Sequence, residues 1–412
     1  MTSAPTPTLA SLLQGLASVP PAVDCPVTGL ASDSRRVTPG DLFLALRGHH
    51  HHGLAFLPGV RAAGAAAVAW EPPAPAVTDP GLPLVEVPQL SRRIGVIASR
   101  FHGEPGRGLD LVGITGTDGK TSTAWYLAQA LHRPDAPCGL LGTLGQGTAE
   151  VLGEPGLTTP EALSIWAWLA QLRERGARRA VMEVSSHALD QGRSDGMDFA
   201  VAVLKNLGRD HLDYHCDADA YAAAKRRLFT ELEPRRAVLN HDDAFGRRLA
   251  EQLGEQAVVY GFAPETTGPG GWVRGENLRL MSEGLRLDIS SRWGRGELAS
   301  GLLGRFNAIN LLAALATLLV LGLPLSEALA RLGRVGNAPG RMERHGGGGR
   351  PLVVIDYAHT PQALEQALRA LREHGRERLW CVFGCGGERD TGKRALMAAA
   401  AECWAERVVI TD

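Results

Sequence analysis

The chain has 412 residues, enough for two or three domains with separate hydrophobic cores. Its composition, 44% apolar and 21% charged, is ordinary for a globular protein, and its net charge of −1 argues against sequence-independent binding to nucleic acid. The longest apolar stretch, Leu311–Leu323, is too short to span a bilayer, and we see no signal peptide. Six scattered cysteines without metal-ligand spacing suit a reducing cytoplasm.

The first 108 residues begin with a helical segment, Leu9–Leu16, followed by short apolar runs that proline and glycine interrupt. We predict a small α/β domain over 1–108, with Glu104–Gly108 as the linker.

Residues 109–338 alternate apolar runs with helical patterns, which indicates a mostly parallel sheet covered by helices on both faces. A β-hairpin is predicted at Trp272–Ile289, turning near Gly284, and a helix at Asn307–Leu332. The other predicted strands are Leu111–Thr115, Ala180–Val184, Ala200–Leu204, Ala237–Leu239 and Val258–Tyr260, and the other helices are Ser122–Leu131, Pro160–Arg175 and Asp219–Leu232.

Residues 339–412 predict half of a doubly wound, Rossmann-like domain. Because the chain ends directly after the third strand of this unit, we expect the domain to be incomplete. The pattern is strand Leu352–Asp356, helix Pro361–His374, strand Leu379–Phe383, helix Lys393–Ala405 and strand Arg407–Thr411.

A glycine-rich segment follows the first strand of the central domain. Gly113, Gly116 and Gly119 precede Lys120 and Thr121. Glycines let backbone N–H groups converge on an anion, the lysine supplies charge for terminal phosphates, and the threonine can hold Mg²⁺. The segment therefore predicts a phosphate-binding loop for ATP or GTP.

Polar residues follow the next two predicted strands. Glu183 is followed by Ser-Ser-His, and Asp210, His211 and Asp213 form a second cluster. A carboxylate beside a phosphate loop is well placed as a Mg²⁺ ligand, and a histidine can take a metal position. The second cluster is also compatible with a loop that caps the next helix, although Asp217 or Asp219 already suffices for that cap. Taken alone, Glu183 is better explained as a solvated strand end. The adjoining polar residues shift the balance towards function.

Lys225 shares a helix face with Tyr221 and Phe229. Spacing alone favours an ammonium group that reaches water. If the amine is buried instead, its pKa falls, and a neutral amine can take up CO₂ as a carbamate.

Two loops of the third unit carry polar residues at strand ends, at Asp356–Pro361 and Gly384–Arg394. Glycines there allow close approach to a ligand, and Arg389, Lys393 and Arg394 favour an anion. Each loop alone is also compatible with an ordinary turn between a strand and a helix.

Together these residues resemble the Mur ligases, the ATP-dependent amide-forming enzymes of peptidoglycan synthesis, and most closely those that add the third residue of the peptide. The resemblance extends from about Ala31 to Asp412. Its further markers are Asp33–Arg35, Pro39–Phe43, Thr158–Pro160, Met182–Leu189, Gln191, Arg193, Arg209–His215, Gly304–Asn307 and Pro339–Glu343.

The resemblance implies a role for each matching residue. Lys120, Glu183, His211 and Lys225 would be catalytic, with Thr121, Glu183, His211 and carbamylated Lys225 organising Mg²⁺. ATP would contact Gly116, Thr117, Asp118, Gly119, Lys120, Thr121, Ser122, Asn307, Arg341, Asp356 and His359. The UDP-linked substrate would contact Ser32, Ser34, His49, His50, His51, Thr158, Thr159, Ser185, Gln191 and Arg193, and Arg389 would meet the incoming amino acid.

The resemblance also implies a reaction. A carboxylate of UDP-N-acetylmuramoyl-L-alanyl-D-glutamate attacks the γ-phosphate of ATP, and the amine of an amino acid then attacks the acyl phosphate. Meso-diaminopimelate is the expected amino acid, and a cytoplasmic monomer the expected form of the protein.

Several residues depart from the family pattern. Asp118 stands in place of the usual asparagine, Lys205 in place of threonine, Leu157 in place of a polar residue, and His52 in place of aspartate. The pattern also continues beyond Asp412 in the family, into the segment that reads the amino acid.

Two alternatives stay open at this stage. One is a folylpolyglutamate synthase-like ligase, against which the Thr158–Pro160 and Met182–Leu189 markers argue. The other is a catalytically inactive remnant that binds nucleotide or UDP-sugar.

Overall fold

The computed structural model describes residues 6–48, 51–74, 81–347, 349–375, 378–385 and 392–411. These residues build three α/β domains in chain order, as the sequence predicts.

The N-terminal domain is a parallel sheet in the order β1-β2-β3-β4, with α1 packed against α3. The first helix is shorter than predicted and ends at Leu13, because Gln14 leaves the helical conformation and Gly15 adopts a φ of 71°. The elements are α1 Leu9–Leu13, β1 Gly29–Ala31, β2 Asp41–Ala45, α2 Leu57–Ala62, β3 Ala67–Trp70, β4 Leu84–Glu86 and α3 Leu90–Phe101.

The first part of the central domain supplies the middle of a large sheet. Its strands are β5 Asp110–Thr115, β6 Cys138–Gly142, β7 Gly145–Thr148, β8 Arg179–Glu183 and β9 Phe199–Leu204. Its helices are α4 Lys120–Leu131, α5 Ala162–Glu174, α6 Ser186–Asp190, α7 Leu212–His215 and α8 Ala218–Thr230.

The second part completes the sheet. Its elements are β10 Arg236–Asn240, α9 Ala244–Leu253, β11 Ala257–Gly261, β12 Trp272–Met281, β13 Gly284–Ser291, β14 Gly294–Ser300, α10 Arg305–Val320 and α11 Leu325–Leu332. The predicted hairpin is confirmed as β12 and β13, and β14 adds a third antiparallel strand that the sequence did not indicate.

The strand order of the large sheet is β14-β13-β12-β11-β10-β9-β5-β8-β6-β7. The strands from β12 to β6 are parallel to one another, and antiparallel strands extend both ends. The carboxyl ends of β9, β5, β8 and β6 therefore lie side by side at one edge. Ligands bind at this edge in open α/β sheets.

Helix α10 is apolar on every side and almost entirely buried against the sheet and α4. The sequence predicts one helix over Asn307–Leu332, but the structure has two, because Gly322 adopts a φ of 88° and Pro324 cannot continue a helix. Within the described ranges, no helix is both long and apolar enough to cross a membrane.

The third domain contains β15 Glu343–Gly346, β16 Leu352–Ile355, α12 Pro361–His374, β17 Trp380–Gly384, α13 Lys393–Trp404 and β18 Arg407–Thr411. The strand–helix alternation is as predicted, and β17 pairs in parallel with β18. The pairing of β16 differs from a doubly wound half, because β16 pairs with β15 in an antiparallel ribbon.

His374 joins the third domain to the central domain. This buried residue at the end of α12 accepts a hydrogen bond from Gly304 N at its Nε2 (2.6 Å), so its Nδ1 donates to Met281 O (2.7 Å). Both ring nitrogens are therefore bonded to the backbone of the central domain.

The burial of α10 predicts how the central domain responds to truncation of its core. Leu315 is fully buried, so we expect Leu315→Ala to lower the free energy of unfolding by about 2–5 kcal/mol through lost contacts and a residual cavity. Val151→Ala, at a side chain that is 74% exposed, should change it by less than about 0.5 kcal/mol. Urea unfolding followed by circular dichroism measures both, and equal effects would contradict the assignment of α10 to the core.

Candidate active site

The loop between β5 and α4 has the geometry of an anion-binding site. Gly116 and Gly119 have φ values of 148° and 80°, which glycine adopts readily. The loop is held by Asn206, whose Oδ1 accepts hydrogen bonds from the backbone N–H groups of Thr117 (3.0 Å) and Asp118 (2.9 Å). Helix α4 begins at Lys120, so its positive end faces the loop.

Gly113 does not belong to this loop, contrary to the prediction from sequence. It lies inside β5, where a Cβ atom would come within 2.6 Å of the Phe199 ring. Glycine is therefore needed at this position so that the Phe199 ring can pack against β5.

Lys120 folds back onto its own loop. Its Nζ donates to Gly116 O (2.8 Å) and Thr117 O (2.9 Å), and burial of the amino group lowers its pKa, an effect that Glu183 partly offsets. Beside it lies a cavity of about 200 Å³. The lining comprises Thr117, Asp118, Gly119, Lys120, Thr121, Ser122, Thr143, Thr158, Glu183 and Arg341.

Glu183, at the end of β8, is buried beside the loop with 1% of its surface exposed. One carboxylate oxygen accepts from Thr121 Oγ1 (2.9 Å) and the other from Thr143 N (2.8 Å). Burial raises the pKa of Glu183, while Lys120 and these hydrogen bonds favour the charged form. The solvated strand end that sequence alone favoured is therefore excluded.

Thr143 is a site residue that the sequence analysis missed. It follows β6, a short strand that was not predicted, and its hydroxyl also lies 3.1 Å from Thr158 Oγ1. The apolar run Cys138–Leu141 before Gly142 is the signal that could have revealed it.

Lys225 is buried, not exposed as its helical spacing alone favoured. Its side chain is 1% exposed because α8 packs against α6 and the phosphate loop. Its Nζ donates to Gly116 O (3.0 Å) and lies 4.4 Å from the centre of the Tyr221 ring. Burial, together with the charge of Lys120, lowers its pKa well below the usual value.

His211 lies apart from the cavity. It is exposed, pairs with Asp210 (3.4 Å), and stacks edge-on with His187 at 4.8 Å between ring centroids. Across the described ranges, no group of three or more histidine, cysteine, aspartate or glutamate residues has the geometry to hold a metal. Of the four residues expected to organise Mg²⁺, only Thr121 and Glu183 are in direct contact with each other.

The residues expected to hold the acceptor substrate form one network. Thr159 Oγ1 donates to Glu183 O (2.9 Å) and accepts from Ser185 N (3.0 Å). Arg193 donates to Thr159 O (2.7 Å) and to Gln191 Oε1 (2.9 Å). Hydrogen bonds therefore connect these side chains to Glu183.

The predicted uridine residues are only partly described. Ser32 donates to Glu161 Oε2 (3.1 Å) and lines a second cavity of about 270 Å³, whereas Ser34 begins a short 3-10 turn. The ring of His51 contacts Phe56. His49 and His50 lie outside the described residues.

The predicted nucleotide residues of α10 and the third domain have different environments. Asn307 is buried, accepts from Tyr126 Oη (2.9 Å) and donates to Leu303 O (2.8 Å), so its amide ties α10 to α4. Arg341 lines the loop cavity.

The last three residues of the predicted set lie in the third domain. Asp356 accepts from Met342 N (2.9 Å), and His359 is exposed. Arg389 lies outside the described residues.

Three family profiles match the chain. They are those of the Mur ligase family catalytic domain over residues 26–102, the Mur ligase middle domain over 114–318, and the Mur ligase glutamate ligase domain over 340–412.

Curated proteins and solved structures are also similar. A UDP-N-acetylmuramoyl-L-alanyl-D-glutamate–2,6-diaminopimelate ligase from Alkalilimnicola ehrlichii is 51% identical, over 98% of this chain and 83% of the relative. A protein of the same name from Pseudomonas aeruginosa is 48% identical, over 94% and 80%. A solved structure of a protein with this name is 34% identical, with a TM-score of 0.79, over 94% of this chain and 78% of that one. The chain therefore belongs to the Mur ligase family.

Proposed function

We propose that this chain is an ATP-dependent ligase that adds 2,6-diaminopimelate, as its meso isomer, to UDP-N-acetylmuramoyl-L-alanyl-D-glutamate in peptidoglycan synthesis. The names of its relatives support the two substrates. One structural observation carries the proposal. Buried Glu183 is bonded to Thr121 of the phosphate loop, and its backbone to Thr159 of the acceptor network. The proposed phosphate and acceptor sites therefore meet at one residue, and phosphoryl transfer to the acceptor requires them to be adjacent.

In this proposal the phosphate loop binds the triphosphate of ATP. Loop N–H groups and the positive end of α4 bind the phosphate oxygens, and Lys120 exchanges its bonds to Gly116 and Thr117 for bonds to phosphate. The acceptor carboxylate attacks the γ-phosphate, and ADP leaves. The diaminopimelate amine then attacks the acyl phosphate, so that an amide forms and phosphate is released.

The donor set beside the loop fits Mg²⁺. The Thr121 hydroxyl and the Glu183 carboxylate are hard oxygen donors in direct contact, and Mg²⁺ binds such donors together with substrate phosphates. When bound, the ion neutralises charge that develops on the transferring phosphoryl group. His211 belongs to this proposal as a ligand only if its loop moves towards the cavity.

Lys225 is proposed as a carbamate. Its pKa is lowered by burial, so the amine is available in neutral form to attack CO₂. A nitrogen–carbon bond forms, one proton is released, and the side chain becomes an anion. That anion attracts the Lys120 ammonium, which a protonated Lys225 would repel.

We further propose that domain boundaries fall near residues 108 and 338, that the nucleotide also contacts Arg341, Asp356 and His359, and that the protein is a cytoplasmic monomer. The cytoplasm is where ATP and a UDP-linked acceptor are both available. Arg341 already lines the loop cavity, which supports the participation of the third domain.

The activity itself is tested with the purified chain, the UDP-linked dipeptide, ATP and Mg²⁺. We expect phosphate release that depends on meso-diaminopimelate, together with a product heavier by one diaminopimelate residue in mass spectrometry. Binding of ATP without turnover for any amino acid would instead identify an inactive nucleotide-binding protein.

Glu183→Gln keeps the shape of the side chain but removes its charge. We expect the rate of phosphate release to fall about 100-fold to 1,000-fold, because the charge-stabilising carboxylate at the phosphoryl group is lost. Glu231→Gln, at an exposed carboxylate on the far end of α8, is the matched control and should retain the parent rate. Equal rates in both variants would exclude Glu183 from catalysis.

Lys225→Ala should lower the rate by about 100-fold or more, because the carbamate is absent. Added formate or acetate should restore part of it, since a small carboxylate can enter the space that the side chain vacated. Lys225→Met fills that space and should stay inactive at every carboxylate concentration. If neither variant loses activity, or if both respond equally to carboxylates, the carbamate role is wrong.

A further inference from the structure

The lysines of this chain are few and are concentrated at one place. The chain has only four lysines, whereas the remainder of its 43 basic residues are arginines. Lys120 and Lys225 both donate to Gly116 O in the phosphate loop, and Lys205 lies under the same loop. An amine can be buried and lose its proton, which a guanidinium does not do. Lys120 and Lys225 both have roles in the proposed reaction, but Lys205 has none.

Lys205 passes beneath the loop from one glycine to the next. It follows β9, and its Cβ lies 2.7 Å from where a Cβ of Gly116 would be. Its Cε lies 3.2 Å from the corresponding position at Gly119. The side chain therefore supports both loop glycines from the protein side, opposite the face that receives phosphate.

The amino group of Lys205 ends in a neutral environment. Its Nζ donates to Ile309 O in α10 (3.2 Å) and lies 5.2 Å from the centre of the Tyr260 ring. The side chain is 1% exposed, and burial lowers its pKa to about 7. At pH 8 the amine is therefore mostly neutral in the ligand-free chain.

We propose that Lys205 is a positioning residue for the triphosphate of ATP, and that its amine takes up a proton when the phosphates occupy the loop above it. The inference rests on the proposed binding of ATP. A polyphosphate brings several negative charges to the other face of the loop, and the two loop residues above Lys205, Gly116 and Gly119, have no side chains to separate the charges, so the ammonium form is favoured. The resulting cation attracts the phosphates through the loop and draws the loop against α10.

Titratable groups on the elements next to Lys205 set the background for this titration, although burial alone accounts for the lowering of its pKa. The phosphate loop contributes a carboxylate and an amine, α8 an amine, β11 a phenol, and the turn after β10 two carboxylates. These groups are Asp118, Lys120, Lys225, Tyr260, Asp242 and Asp243. Because these groups remain in a Lys205 variant, the difference in proton uptake between parent and variant gives the contribution of Lys205.

The linkage has a definite sign. ATP raises the pKa of the Lys205 amine from about 7, so binding is strongest at low pH. Affinity declines as pH rises above about 7, by at most about tenfold per pH unit for one proton, and levels off above the raised pKa. The terminal phosphate of ATP, which titrates near pH 6 like other phosphate esters, stays ionised throughout this range.

Isothermal titration calorimetry of Mg²⁺–ATP binding tests the proposal. Titrations at pH 8 in buffers of different ionisation enthalpy give the number of protons taken up. We expect the parent chain to take up about 0.5–0.9 proton more than Lys205→Met, a neutral side chain of similar length. Between pH 7.5 and 9.5 the Kd of the parent should rise towards that of the variant. At pH 7.5 the variant should bind about threefold more weakly if ATP raises the pKa by one unit, and about 25-fold more weakly if ATP raises it by two units.

The controls separate this role from a structural one. Lys205→Thr is a second neutral variant and should give the same proton uptake as Lys205→Met. If one of the two variants folds poorly, the other still tests the proposal. Arg178→Met removes a cation at the opposite edge of the sheet and should match the parent. Equal proton uptake in parent and Lys205 variants, with parallel pH profiles, overturns the proposal while leaving ATP binding intact. Failure of the parent to bind ATP instead overturns the proposed function.

The parent chain also permits a direct measurement. Because it has four lysines, ¹³C-lysine labelling gives a sparse spectrum in which the Lys205 signal is assigned by its loss in Lys205→Met. We expect its midpoint near pH 7 without ATP and at a higher pH with ATP. An unchanged midpoint would contradict the coupling.

Discussion

The oxygen of Gly116 receives hydrogen bonds from two amino groups, those of Lys120 and Lys225. This arrangement brings α4, α8 and the end of β5 to one point. Two amines that share a neutral acceptor repel each other when both are charged, and burial lowers the pKa of each. Burial therefore favours the neutral amines, and an anion that arrives at the loop favours their charged forms. The strand order and the burial of Glu183 place the other side chains of the site relative to Gly116.

The sheet brings the chemistry together because four consecutive strands end at one edge. The order β9-β5-β8-β6 places Lys205, the phosphate loop, Glu183 and Thr143 next to one another, although they are distant in sequence. Glu183 links the phosphate loop to the proposed acceptor network, since its side chain bonds to Thr121 and its backbone to Thr159. A single buried residue therefore sets the distance between the two sites.

Much of this could be predicted from sequence, because strand ends and loop glycines have strong local signals. The phosphate loop and Glu183 follow apolar runs, which makes their position readable. Lys225 could not be placed by spacing, since its burial depends on what α8 packs against. Thr143 follows β6, whose only signal in the sequence is the short apolar run before Gly142. The Asn307 amide bonds to Tyr126 of α4 and to Leu303 just before α10, contacts that a single sequence does not show.

The two hydrogen bonds of His374 stabilise the contact between the third domain and the central domain. Its ring accepts a hydrogen bond from Gly304 N and donates one to Met281 O, so a rotation of α12 away from the central sheet leaves a buried N–H and a partly buried carbonyl without these partners. Gly304 lies in the loop before α10. Helix α10 is connected to the phosphate loop because Ile309 O accepts a hydrogen bond from Lys205, whose side chain lies against Gly116 and Gly119. A ligand that binds more tightly when α12 is rotated would therefore have its affinity reduced by the free energy needed to break the hydrogen bonds of His374.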